Sequence, residues 1–183
     1  DADAEAPWFD YHRAGAFEDR VYRGTEVLVR QMAAGRYRCS VCLNLIRRSL
    51  LEDAGLRFFA GIIHEDELFS VLLFVQSKCI GCLKRNLVQH RVRSNSTMTK
   101  KYSLRNVSCY LTVVDELFVY VRQHSDVLPL IKKYVSYTLN AVFQTAHVLP
   151  YADKFRIYGR CLKSGYLSYI QSVVQLKYWL KNE

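Results

Sequence analysis

The stretch LRFFAGIIHEDELFSVLLFVQ, residues 56–76, decides how the middle of this chain is drawn. Two apolar runs, 56–63 and 68–76, flank the charged tetrad His64-Glu65-Asp66-Glu67. Short apolar runs around a polar cluster read as the two strands of a hairpin. The second run also suits a buried helix that carries on to Val88, and periodicity alone does not separate the two. A hairpin here, with a further strand over 102–114, makes a small central antiparallel sheet.

Helices are expected on both sides of that sheet. Over 17–32, Phe17, Val21, Leu28 and Met32 fall near one face, and Gly35 stops the run. Ser49 caps a short helix over 49–55, with Glu52 three residues on. Another short helix covers 115–123. Ser125 or Asp126 caps a longer one, with Pro129 in its first turn, Leu128, Ile131, Val135, Leu139 and Val142 at helical spacing, and Pro150 beyond its end. A last helix runs over 164–180 with Leu167, Ile170, Val174 and Leu180 inward. The fold class this implies is α+β: a small central antiparallel sheet carrying a four-cysteine zinc knuckle pair, flanked by N-terminal and C-terminal helices. Residues 1–16 read as an acidic, flexible segment and 17–183 as a single zinc-stabilised domain.

The zinc expectation comes from two segments, RCSVCLNLIRR at 38–48 and KCIGCLKRNL at 78–87. Each holds Cys-x-x-Cys followed by Leu and basic residues. Zinc takes four thiolates tetrahedrally, and each such turn supplies two of them. Cys39, Cys42, Cys79 and Cys82 are therefore the candidate ligands of a structural Zn2+. The 36 residues between Cys42 and Cys79 exceed the usual ribbon spacing. Loop closure costs grow slowly with length, so a small insert between the knuckles is permitted. Gly81 relaxes the backbone of the second turn, and flanking Arg and Lys offset thiolate charge. Buried thiols and a redox pair are the competing readings. Cys109, Cys161, His64 or His90 are the alternatives for any one ligand. A closed four-thiolate site does no chemistry; it holds structure.

The formal net charge is +9, half the residues are hydrophobic and thirteen are Tyr. A basic excess of this size favours polyanions. From 83 to 105 the chain carries seven Lys or Arg and no acid. Arg47, Arg48, Lys84, Arg85, Arg91, Arg93, Lys100 and Lys101 are the candidate phosphate contacts, with Tyr102 to stack on a base. The function expected is a non-enzymatic, zinc-stabilised domain that binds DNA or RNA through this basic surface. The alternative is a protein-interaction or assembly module, docking an acidic or other partner through the Tyr-rich C-terminal helices or the acidic start of the chain. Walker, GxSxG and HExxH signatures are missing, and the HEDE tetrad lacks a second histidine at helical spacing.

No stretch reaches the roughly 18 apolar residues of a membrane span. The opening DADAEAPWFD, without an initiator Met, reads as part of a longer protein or complex. Two Cys-x-x-Cys pairs without a signal peptide favour a reducing compartment, nuclear more than cytoplasmic for a nucleic-acid binder. The sequons at Asn95 and Asn106 are discounted accordingly.

Overall fold

A computed structural model describes residues 17–83, 85, 87–88 and 101–180. The chain divides into two compact units, Asp1–Arg57 with Ser70–Val88, and Phe58–Phe69 with Gln89–Glu183. Among the described residues there are seven α-helices and one sheet of two very short strands. The α+β expectation is thereby overturned: helices, and no central sheet, carry the structure.

The first unit begins with β1 (Val21–Tyr22), then α1 (Gly24–Ala33), α2 (Arg48–Asp53), the second part of α3 (Glu65–Gln76) and β2 (Ile80–Gly81). β1 and β2 pair antiparallel, Val21 opposite Gly81 and Tyr22 opposite Ile80. The helix expected over 17–32 therefore starts only at Gly24, and Val21 stands in solvent. The cause is a close approach. A Cβ on Gly24 would lie 2.0 Å from the Phe74 carbonyl oxygen, and the Gly24 amide donates to the Ser77 carbonyl at 2.9 Å. Only glycine lets the start of α1 sit this tightly on the end of α3. Tyr22, Val27, Leu28, Met32, Val71, Leu73 and Phe74 form the core, and the Tyr22 hydroxyl accepts from the Glu18 amide at 2.7 Å.

The expected hairpin is also replaced. Residues 56–64 form no strand, and Glu65 begins α3. Glu65, Asp66 and Glu67 crowd its first turn, where the helix dipole favours negative charge. Leu68, Phe69, Ser70, Val71, Leu73 and Phe74 are all buried. A helix enclosed this fully carries no polar stripe, so its apolar run resembles a strand.

The second unit consists of α4 (Leu104–Val121), α5 (Leu128–Ala146), α6 (Tyr151–Lys163) and α7 (Ser172–Trp179), with the start of α3. α5 packs on α4 and α7, and α4 also meets α6. The strand expected over 102–114 lies within α4, which absorbs the helix expected over 115–123 as well. Val107, Leu111, Val114, Leu117 and Val121 recur at 3.6-residue spacing and are buried. Asn106 fixes the start of α4, its Oδ1 accepting from the Ser103 amide at 3.0 Å and the Ser103 hydroxyl at 2.9 Å. α5 buries Ile131, Tyr134, Val135, Leu139, Val142 and Phe143, each worth about 1.5–3 kcal/mol against exposure. Tyr134 donates to Glu67 Oε2 at 2.6 Å inside this unit. The single helix expected over 164–180 is instead the end of α6's turn, a 3₁₀ segment at Tyr166–Tyr169 and α7. Ile170 and Val174 are buried, but Leu180 is exposed.

Candidate metal centre and basic surface

All four cysteines of the two Cys-x-x-Cys turns belong to the first unit. The first turn runs through a 3₁₀ segment, Val41–Leu43. Ser70 of α3, fully buried, donates its hydroxyl to the Cys39 carbonyl and ties this turn to the helix. Cys39 is half-buried and Cys42 exposed, its Sγ 3.0 Å from the Ser40 hydroxyl. The second turn brackets β2: Cys79 precedes the strand, exposed, and Cys82 follows it, half-buried. The β1 ladder holds the two residues between them. Each turn thus has its own anchor on the 70–81 segment. Ser70 and Gln76 span about 9 Å of helix at 1.5 Å per residue.

Among the described residues, no three Cys, His, Asp or Glu side chains gather as a ready ligand set. Four-thiolate ligation therefore requires the two anchored turns to close on the metal. The donor chemistry suits zinc: two pairs of thiols in one compact unit, two of them already at the surface. The alternative donors are engaged elsewhere or enclosed. Cys109 and Cys161 are buried in the second unit, and burial pushes the Cys161 thiol up to about 12. The His64 ring stacks on Tyr110 at 4.2 Å, and its Nε2 lies 3.4 Å from the Asn106 amide nitrogen. Burial lowers the His64 pKa, against the opposing pull of Asp66 and Glu65. His90 lies outside the described residues.

The candidate phosphate contacts divide in the same way. Arg47 and Arg85 are exposed and make no ion pair among the described residues. Arg48 is exposed but spends its charge on Glu52 at 2.7 Å. Lys101 is exposed. Lys84, Arg91, Arg93 and Lys100 lie outside the described residues. Tyr102 is half-buried, and its hydroxyl is enclosed without a hydrogen-bond partner among the described residues. Desolvation raises its pKa strongly.

Sequence reasoning missed α6 altogether, and with it a polar cluster and an exposed face. Asp115 accepts from Arg160 at 2.6 Å and from the Tyr166 hydroxyl. Lys154 is buried, its Nζ 5.1 Å from the Tyr151 ring and 5.6 Å from the Tyr178 ring. The available signal was the spacing of Tyr151, Phe155, Tyr158 and Leu162, which repeats at helical intervals. No protein-family model, curated protein or solved structure matches the chain. No helix among the described residues is long and apolar enough to cross a membrane.

Proposed function

We propose that this chain is a non-enzymatic binding module whose first unit is clamped by structural zinc and grips nucleic-acid phosphates beside the clamp. The observation that carries the reading is the company each cysteine turn keeps. Arg47 follows the first turn and Arg85 the second, both exposed and without an ion pair among the described residues. Zinc, when bound by Cys39, Cys42, Cys79 and Cys82, supplies cross-linking and no open coordination position. The chain's own residues do the rest. Ser70 orients the first turn and the β1–β2 ladder orients the second, so the two arginines are held on a defined scaffold. In sequence, Lys84, Arg91, Arg93, Lys100 and Lys101 belong with Arg85 to the acid-free run 83–105. Phosphate contacts of this kind give affinity without sequence choice. Thiolate ligands suit a reducing compartment, and a nuclear setting suits the partner.

The test is salt-dependent binding to duplex DNA and to single-stranded RNA. Replacing Arg47, Arg85, Arg91 and Arg93 together by Ala is expected to weaken binding at all sequences and flatten the salt dependence by about one unit of log–log slope per lost contact. Unaltered binding removes the surface. A second reading, a protein-interaction module, is favoured by the exposed aromatic face of α6 in the other unit.

A further inference from the structure

α6 has two apolar faces; the fold buries one and covers the other only in part, through Trp179 of α7. Lys154, Ile157 and Cys161 are buried. Tyr151, Phe155 and Leu162 are 43%, 66% and 65% exposed, with Tyr158 half-exposed between them. Their intervals of four, three and four residues are those of a coiled-coil seam. At 100° per residue the four lie within about 60° of one line, and they extend over about 16 Å. Trp179 of α7 packs against Phe155 at 5.0 Å and Tyr158 at 5.3 Å, which fixes the rings of the seam in place. Leu176 and Leu180, exposed beside Trp179, widen the apolar surface.

Gly159 adds an independent observation. It sits inside α6, next to Phe155 and Leu162 on the helix surface, and a Cβ built there meets nothing within 4 Å. Glycine in a helix interior is destabilising relative to alanine, and nothing in this fold requires it here. A gap flanked by large apolar side chains is the form of a hole that receives a side chain from a facing helix. A bilayer surface has no use for such a hole. The charge of the rim selects the partner. Over 148–180 the basic residues are Lys154, Arg156, Arg160, Lys163 and Lys177, and the sole acid is Asp153. Lys154 is buried and Arg160 pairs with Asp115 at 2.6 Å; Arg156, 3.7 Å from Asp153, and Lys163 and Lys177 are exposed, so the rim stays basic. A second copy of a chain with net charge +9 would bring like charge to like.

We propose that the Tyr151–Phe155–Tyr158–Leu162 seam of α6 receives an acidic amphipathic helix from a partner protein, with a side chain of that helix seated over Gly159. This rests on the protein-interaction reading and is independent of zinc and of nucleic acid. The probe is a synthetic helical peptide with Leu at heptad seam positions and Glu on the flanks, labelled for fluorescence anisotropy. A peptide of the same composition with the Leu spacing scrambled is the control. The seam peptide is expected to bind, and the scrambled one at least tenfold more weakly. Phe155→Ala and Gly159→Leu are each expected to weaken binding at least tenfold, while Arg47→Ala with Arg85→Ala leaves it unchanged. Gly159→Ala, which removes a helix-interior glycine, is expected to raise the thermal midpoint of the free chain and still weaken the peptide. Arg156→Glu with Lys163→Glu is expected to reverse the preference to a basic seam peptide. Equal binding of both peptides, or of parent and seam variants, overturns the seam while leaving a protein-docking module elsewhere. No peptide binding at all overturns the seam and the reading beneath it. Binding of equimolar phosphatidylserine–phosphatidylcholine vesicles that is lost in Phe155→Ala, or self-association lost in the same variant, assigns the face to another occupant and also overturns the proposal.

Discussion

The two units of this protein hold together by different means. The second has long helices, α4 of 18 residues and α5 of 19, with cores that repeat every three or four positions. The first has a ten-residue helix, a six-residue helix, part of α3 and a ladder of two residues per strand. A two-stranded ribbon of that length has no independent stability, and a six-residue helix is below the length that sustains itself in water. The cysteine pairs fall in the unit with the shorter regular elements. The zinc proposed above would therefore add its cross-link to the unit with the shorter elements.

The largest effect is expected from removing the proposed zinc. Chelation, or Cys79→Ser, is expected to unfold the first unit while the helices of α4–α7 persist. Structural zinc in zinc-finger peptides binds with roughly 10–16 kcal/mol coupled to folding, so this is the largest effect expected. Circular dichroism with limited proteolysis checks this, because cleavage should concentrate in residues 17–57 and 70–83.

The converse change targets packing in the second unit. Leu139 of α5 is fully buried, and Leu139→Ala is expected to cost about 2–5 kcal/mol in denaturant unfolding while zinc content stays unchanged. Tyr134→Phe removes the 2.6 Å donor to buried Glu67 and is expected to cost about 1–3 kcal/mol.

Thiol reactivity separates the units without mutation. In metal-free protein, Cys39, Cys42, Cys79 and Cys82 are all expected to react promptly with a thiol reagent, because the first unit is then open and Cys42 and Cys79 are exposed even in the fold. Cys109 and Cys161 should react only on unfolding; Cys161, with its pKa pushed up to about 12, stays a neutral thiol. Mass mapping of the labelled sites reads the difference directly.

The smallest effect is a pH dependence confined to the second unit. His64 has a folded pKa below 6.5, chiefly through burial. The unfolded chain then binds the proton more readily than the folded one. Its contribution is therefore complete above pH 6.5 and is lost as pH falls through the folded pKa. His64→Gln should flatten this part of the stability profile.

How far these features could be read from sequence depended on what each helix buries. α5 was legible because Ile131, Val135, Leu139 and Val142 mark one face and Pro129 opens it. α4 was not, because Val107, Thr112, Val113 and Val114 are β-branched and the 3.6-residue period emerges only when the window reaches Leu117 and Val121. α3 lost its period by being buried all round. α6 hid because its inward face is Lys154, Ile157 and Cys161, and a buried lysine looks like a surface residue in sequence. The cysteine pairs were visible as spacing, and their shared membership of one unit needed three dimensions. The burial of the Tyr102 hydroxyl had no sequence signal at all.

Whether metal holds the first unit is read by native mass spectrometry of the purified chain, with elemental analysis of the same sample. One zinc per chain is expected, lost in Cys79→Ser together with the fold of the first unit. A metal-free chain whose residues 17–57 and 70–83 resist proteolysis contradicts it.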